Sequence, residues 1–134
     1  MAIGIAWIAA QGMKFLIVTV RSGSIDYRQL YKSGSMPSVH SATSMALLTV
    51  VALKDGVESA LFGIAALFTI IVMYDAVMVR RSTGEQGAAI EALIKEQKST
   101  VRPPRSAKGH EPVEVAVGML FGLIVGIVVF LVTK

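Results

Sequence analysis

A chain of 134 residues that is 54% hydrophobic and 16% charged, with mean hydropathy +0.65, is more apolar than a soluble domain of that length needs to fill its core. It contains no cysteine, which excludes disulfides, thiolate metal sites and a Cys nucleophile. The net charge of +4 is carried by residues that flank apolar runs, which points to membrane topology and not to a nucleic-acid partner.

One membrane domain, residues 1–134, is expected, all-α, with about four transmembrane helices and a surface helix after the third. The 12 glycines against few aromatics suggest helices packed closely through small residues. The first span covers about 2–20. No basic residue precedes its apolar run, and Gln11 and Lys14 lie inside it, unlike a cleavable signal peptide. Its length suits a bilayer, which takes roughly 20 helical residues. Lys14 at mid-membrane would cost about 2.5–3.5 kcal/mol, so it either snorkels to the nearby span end or has a function.

A polar connection, 21–36, carries Arg21, Arg28 and Lys32 against Asp26. The second span, about 38–53, begins rich in Ser and Thr, which suits a helix lining a polar pocket. Lys54 to Glu58 is a tight turn. The third span, about 59–79, is apolar except for Tyr74 and Asp75 near its end, and Arg80 and Arg81 close it. From Ser82 to Lys98 a helix is expected along the surface, with Glu91 and Lys95 four apart. Its modest apolar side suits contact with lipid. Pro103 and Pro104 mark a loop. The last span, about 112–133, opens on Pro112, which needs no N–H partner in a first helical turn.

Charge fixes the orientation. Loops 21–36 and 80–111 share one face and net +2 and +3, whereas the turn at 54–58 nets −1 on the other. The positive-inside rule puts both long loops in the cytoplasm. That arrangement gathers the unusual residues at one membrane face: Lys14, Arg21, His40, Asp75, Arg80, Arg81, His110 and Glu114. The chain has two histidines, and both fall there.

The stretch Ser33 to Thr43 is the most informative. A small-residue loop containing Pro37 and Ser38 runs into a helix whose second residue is His40. Helix N-termini hold anions well, and a hydroxyl and an imidazole added there make a place that binds phosphate and passes it a proton.

Pro37-Ser38-Val39-His40 resembles the middle motif of the type-two phosphatidic acid phosphatases, Pro-Ser-Gly-His. Lys14 and Arg21 have the spacing of the first motif of that family, with Ser22 where the family has Pro. His110 and Glu114 match the second half of the third motif, with Glu for Asp. The Ser-Arg half is replaced by Pro103 and Pro104, between Arg102 and Arg105. Tyr74 to Arg81, then Gly84 and Gln86, and Gly109-His110-x-Pro112-x-Glu114 are similar to the divergent bacterial and plastid branch. The resemblance covers nearly the whole chain and implies an integral protein of the bacterial cytoplasmic membrane.

It also implies a phosphatase that needs no metal or cofactor and hydrolyses a lipid phosphate or diphosphate. Such chemistry needs a nucleophile, an acid for the leaving alkoxide and cations around the phosphoryl oxygens. The family implies His110 as nucleophile, Glu114 as its partner one helical turn away, and His40 as general acid. Lys14, Arg21, Ser38 and the N–H groups around Val39 would hold phosphate. Arg80, Arg81 or Arg105 would replace the missing third-motif Arg.

Each residue has a plainer account. Asp75 pairs with Lys14 or supports catalysis, and with Glu114 it is a candidate for a divalent ion. Arg80 and Arg81 serve as stop-transfer charges or lipid contacts. Glu114 favours the positive end of its helix, and Ser38 is an N-cap. The rival to an enzyme is an inactive family member that binds phospholipid headgroups or serves as a small partner subunit. Four short spans enclose little volume, which leaves room for a homodimer.

Overall fold

A computed structural model describes residues 2–23, 36–104 and 109–133, without the side chain of Arg21. Among them are five α-helices: α1 (Ala2–Ser22), α2 (Val39–Asp55), α3 (Ala60–Tyr74), α4 (Arg80–Glu96) and α5 (Pro112–Thr133). A π-helical segment, Asp75–Val79, joins α3 to α4, so one continuous helix runs from Ala60 to Glu96. At 1.5 Å per residue its 37 residues reach about 55 Å, well beyond a hydrocarbon core of about 30 Å. The chain is a helical membrane bundle. Ala2–Val20, the long helix and Pro112–Thr133 are each long and apolar enough to cross a bilayer.

The middle of this bundle is α2, the least apolar of the four packed helices. It contacts α5 most extensively, then α3 and α1, while α1 also touches α5. Its buried face is Val39, Ser41, Ala42, Ser44, Ala46 and Thr49. Here Thr49 donates to the Met45 carbonyl at 2.8 Å, and buried Thr69 of α3 donates across to the Ser44 carbonyl at 3.2 Å.

Residue size is sorted as a bilayer demands. The buried apolar positions are mostly alanines, including the α1 stripe Ala2, Ala6 and Ala10, which Lys14 continues at the next turn. Large side chains such as Ile8, Leu16, Leu61, Ile64, Leu120 and Ile124 point outward, where lipid is as good a solvent as a core. The α2/α5 seam is the tightest part. A Cβ on Gly118 would lie 2.6 Å from the Ser38 carbonyl, one on Gly126 would lie 2.7 Å from Thr49 Cβ, and one on Gly122 would strike the Ala42 backbone. Gly118, Gly122 and Gly126 recur every four residues, so the two backbones meet along a line with no side chain between them.

The short connection between α2 and α3 is built by local hydrogen bonds. Gly56 takes φ +84°, a conformation strained for other residues, and its carbonyl accepts the Ser59 hydroxyl at 2.8 Å. Ser59 then caps α3 by accepting the Phe62 N–H at 3.2 Å.

Candidate active site

At the opposite end, the start of α5 makes a reciprocal cap. Glu114, the third residue of the helix, reaches back to accept the Glu111 N–H at 3.1 Å. The same oxygen, Oε2, lies 2.9 Å from His110 Nδ1. The ordinary helix-start role and the imidazole contact are therefore met by one carboxylate. An ionised carboxylate only accepts, so Nδ1 donates in this contact, and in the neutral ring Nε2 presents the lone pair.

The backbone of His110 is fixed as firmly as its ring. Its N–H donates to the Ala76 carbonyl at 3.0 Å. Ala76 lies in the π-helical segment, where the Arg80 N–H bonds five residues back to Asp75. The wider turn places the Ala76 carbonyl at the service of another segment, a recurring use of π-bulges. Gly109 makes the approach feasible, because a Cβ there would collide with the backbone N of Arg81. His110 is 7% exposed as a result.

Lys14 is buried on α1, and the charged group acting on it is Glu114. Asp75, expected to pair with Lys14 or to support catalysis, has an arginine of its own helix beside it. Asp75 accepts from Arg80 Nε, its neighbour across the widened turn. Arg81 pairs at 3.1 Å with Glu85, both exposed, in the i,i+4 geometry of a solvated helix.

Ser38 stands in the N-cap position of α2, but its side chain makes no cap bond. It is fully buried, donates its N–H to the Glu114 carbonyl at 3.2 Å and receives the Ser41 hydroxyl at 3.0 Å. The N–H bond ties α2 to α5, and the hydroxyl bond closes the first turn of α2 on itself. Pro37, Ser38 and Ser41 are the largest fully buried side chains described. Val39 is buried beside Ala10 and Ala42, and Phe121 packs on them. Helical bonding leaves the N–H groups of the first turn, from Val39 onward, without intrahelical partners.

His40 is exposed one residue further on, within range of the charges of Arg80, His110, Asp75 and Lys14. It borders a cavity of about 180 Å³ with Ile71, Val72, Asp75, Ala76 and Arg80. His110 borders a cleft of about 440 Å³ with Arg81, Gly84, Glu85, Ala88, Gly109 and Glu111. Ala76 links the two, since its side lines the first cavity and its carbonyl holds His110. Thus His40, Lys14, Asp75, Arg80, His110 and Glu114 gather at one end of the bundle. The Arg21 side chain and Arg105 lie outside the described residues.

A family model described as "Divergent PAP2 family" matches residues 1–125. The chain belongs to the divergent PAP2 family. It is also 37% identical over 138 residues to "Uncharacterized membrane protein YuiD" of Bacillus subtilis (strain 168), covering 92% of this chain and 87% of that relative. No solved structure matches. Within this divergent PAP2 protein, the π-helical segment and the Ala76 contact carry no sequence signal that hydropathy or motif spacing reads. Gly109 and Lys14 were visible as residues, but their partners Arg81 and Glu114 are long-range.

Proposed function

We propose that this divergent PAP2 protein is a membrane phosphatase acting on a phosphomonoester or diphosphate of an amphiphilic lipid. The observation that carries the reading is the His110 Nδ1–Glu114 contact of 2.9 Å on a backbone anchored by Ala76. It leaves Nε2 aimed away from the carboxylate as a nucleophile, with a negative charge ready to stabilise the cation formed on attack.

In the first step Nε2 of His110 attacks phosphorus and the bond from phosphorus to the leaving oxygen breaks. Protonated His40 gives its proton to that oxygen. Water then attacks the phosphohistidine, its proton passes to His40, the P–N bond breaks and Nε2 recovers its lone pair. Arg80 and Arg81 are the cations nearest the two clefts, and Arg21 and Arg105 are further candidates for the phosphoryl oxygens. Lys14 supports the site as a buried cation facing Glu114. Phosphate must compete with Asp75 and Glu85 for the two paired arginines, which makes phosphate binding and side-chain exchange a single event.

The charge distribution supports a site at the cytoplasmic face of a bacterial inner membrane. The natural chain has no cysteine, so Asp55→Cys and Lys98→Cys, both at exposed positions, report sidedness cleanly. An impermeant thiol reagent on intact cells is expected to label the first and spare the second. The reverse pattern would place the site outside. Release of phosphate by purified protein, abolished in His110→Ala, is the expected enzymatic result. Equal slow release by both proteins would leave a headgroup-binding or partner role instead.

A further inference from the structure

The two helices that flank α2, α1 and α3, have no packed interface with each other among the described residues. Between them lies a groove of about 360 Å³ whose floor is α2. Val39, His40, Thr43, Ser44 and Leu47 form the floor. Ile3 and Trp7 of α1 make one wall, and Phe68 and Val72 of α3 make the other. The Thr43 hydroxyl is turned onto the Val39 carbonyl at 2.7 Å and Ser44 onto Ser41 at 3.3 Å, so the floor presents little free polarity.

Taking the substrate to be the amphiphilic phosphate proposed for this site, we infer that the groove between α1 and α3 seats one hydrocarbon chain of that substrate, with its head at His40. Two features of the groove select this occupant. Its walls belong to helices apolar enough to span a bilayer, so what enters from the side is lipid. Its polar end is also continuous with the reacting centre. His40 and Val72 line both the groove and the smaller cavity that holds Asp75 and Arg80. A chain lying in the groove therefore delivers an anionic head to a histidine and an arginine. From Leu47 to His40 the floor spans seven residues, about 10 Å of helix, enough for the part of a chain next to its head. A second chain of the same lipid would remain outside in the bilayer.

Trp7, the single tryptophan of the protein, stands in the wall and serves as the reporter. The full chain in nanodiscs of unbrominated lipid would be titrated with dodecyl phosphate brominated along its chain, while Trp7 emission is followed. The expected result is quenching that saturates at low mole fraction and is reversed by unlabelled dodecyl phosphate. Leu47→Phe, which fills the far end of the floor, should weaken that apparent affinity roughly tenfold for dodecyl phosphate and much less for butyl phosphate, whose chain stops short of it. Quenching that grows in proportion to added probe, unrelieved by competitor, would be lipid mixing and would overturn the inference. Phosphate release alongside such unsaturable quenching rejects the groove but keeps the hydrolase. Saturable, competed quenching without phosphate release keeps the groove and rejects the hydrolase. The competition experiment needs no variant, so misfolding of Leu47→Phe would not obscure either result.

Discussion

The two sides of α2 are built on opposite rules. Toward α5, glycines at 118, 122 and 126 bring backbone against backbone, and no added atom fits. Toward α1 and α3, large side chains stand apart and leave a groove open to lipid. The closed side carries the parts that must not move relative to each other. The Ser38 N–H bonds the Glu114 carbonyl, and the Glu114 side chain bonds His110. The open side carries His40, the general acid of the proposed reaction. Rigidity and access are therefore divided between two faces of one helix, which lets a small bundle have both.

The largest expected effect comes from cutting the closed side at its chemical end. Glu114→Gln keeps the shape and the cap acceptor but removes the charge beside His110. Turnover should fall by on the order of 10⁴-fold with the fold retained, by analogy with other histidine–carboxylate pairs. Glu114→Asp should fall between Gln and wild type, because one methylene fewer weakens both the cap and the ring contact. Steady-state rates at equal folded protein check both. Wild-type turnover in the Gln variant would leave Glu114 only its helix-start role.

Next comes the seam itself. Gly122→Val places two methyl groups where the Ala42 backbone stands, and overpacking of this kind costs about 1–3 kcal/mol or more. Detergent-resistant folding, followed by thermal melting of the helical circular dichroism, should be lost or sharply lowered. Gly63→Ala is the matched control on the open side, where an added Cβ meets nothing within 4 Å. It should be neutral or stabilise by roughly 0.5–1 kcal/mol through reduced backbone freedom. Equal effects of the two substitutions would erase the distinction between the faces.

Smaller again is Thr69→Val, which removes the buried hydrogen bond from α3 to the Ser44 carbonyl. About 1 kcal/mol of stability should go, with the groove kept open. Last, Glu91→Gln breaks an exposed pair with Lys95 on α4, far from either face, and should change stability by no more than about 0.5 kcal/mol.

Parts of the fold and of the site were readable in the sequence, but unevenly. Span lengths, the polar start of α2 and the gathering of charges at one end follow from hydropathy and the alternation of loops. His110 and Glu114 were readable as a pair because i,i+4 spacing on a helix fixes their distance whatever surrounds them. Ser38 was read as a phosphate ligand or N-cap, and its bond to the Glu114 carbonyl depends on how α5 seats on α2. Asp75 was offered Lys14 because both are intramembrane charges of opposite sign. The π-helical turn decides instead for Arg80, and nothing in Asp75-Ala76-Val77-Met78-Val79 announces that turn. Local periodicity is written in the chain, whereas the register between helices is a sum over many weak contacts.

The most direct test is to trap the covalent intermediate. Protein in lipid micelles would be mixed with a radiolabelled lipid phosphate, quenched in alkali within the first turnover, and digested. An acid-labile, alkali-stable phosphoryl group on the peptide containing His110 is expected in wild type. It should be absent in His110→Ala, and in His40→Ala it should accumulate when the substrate has a good leaving group. Phosphate released with no label ever found on His110, or label found on another residue, would contradict a nucleophile at the start of α5.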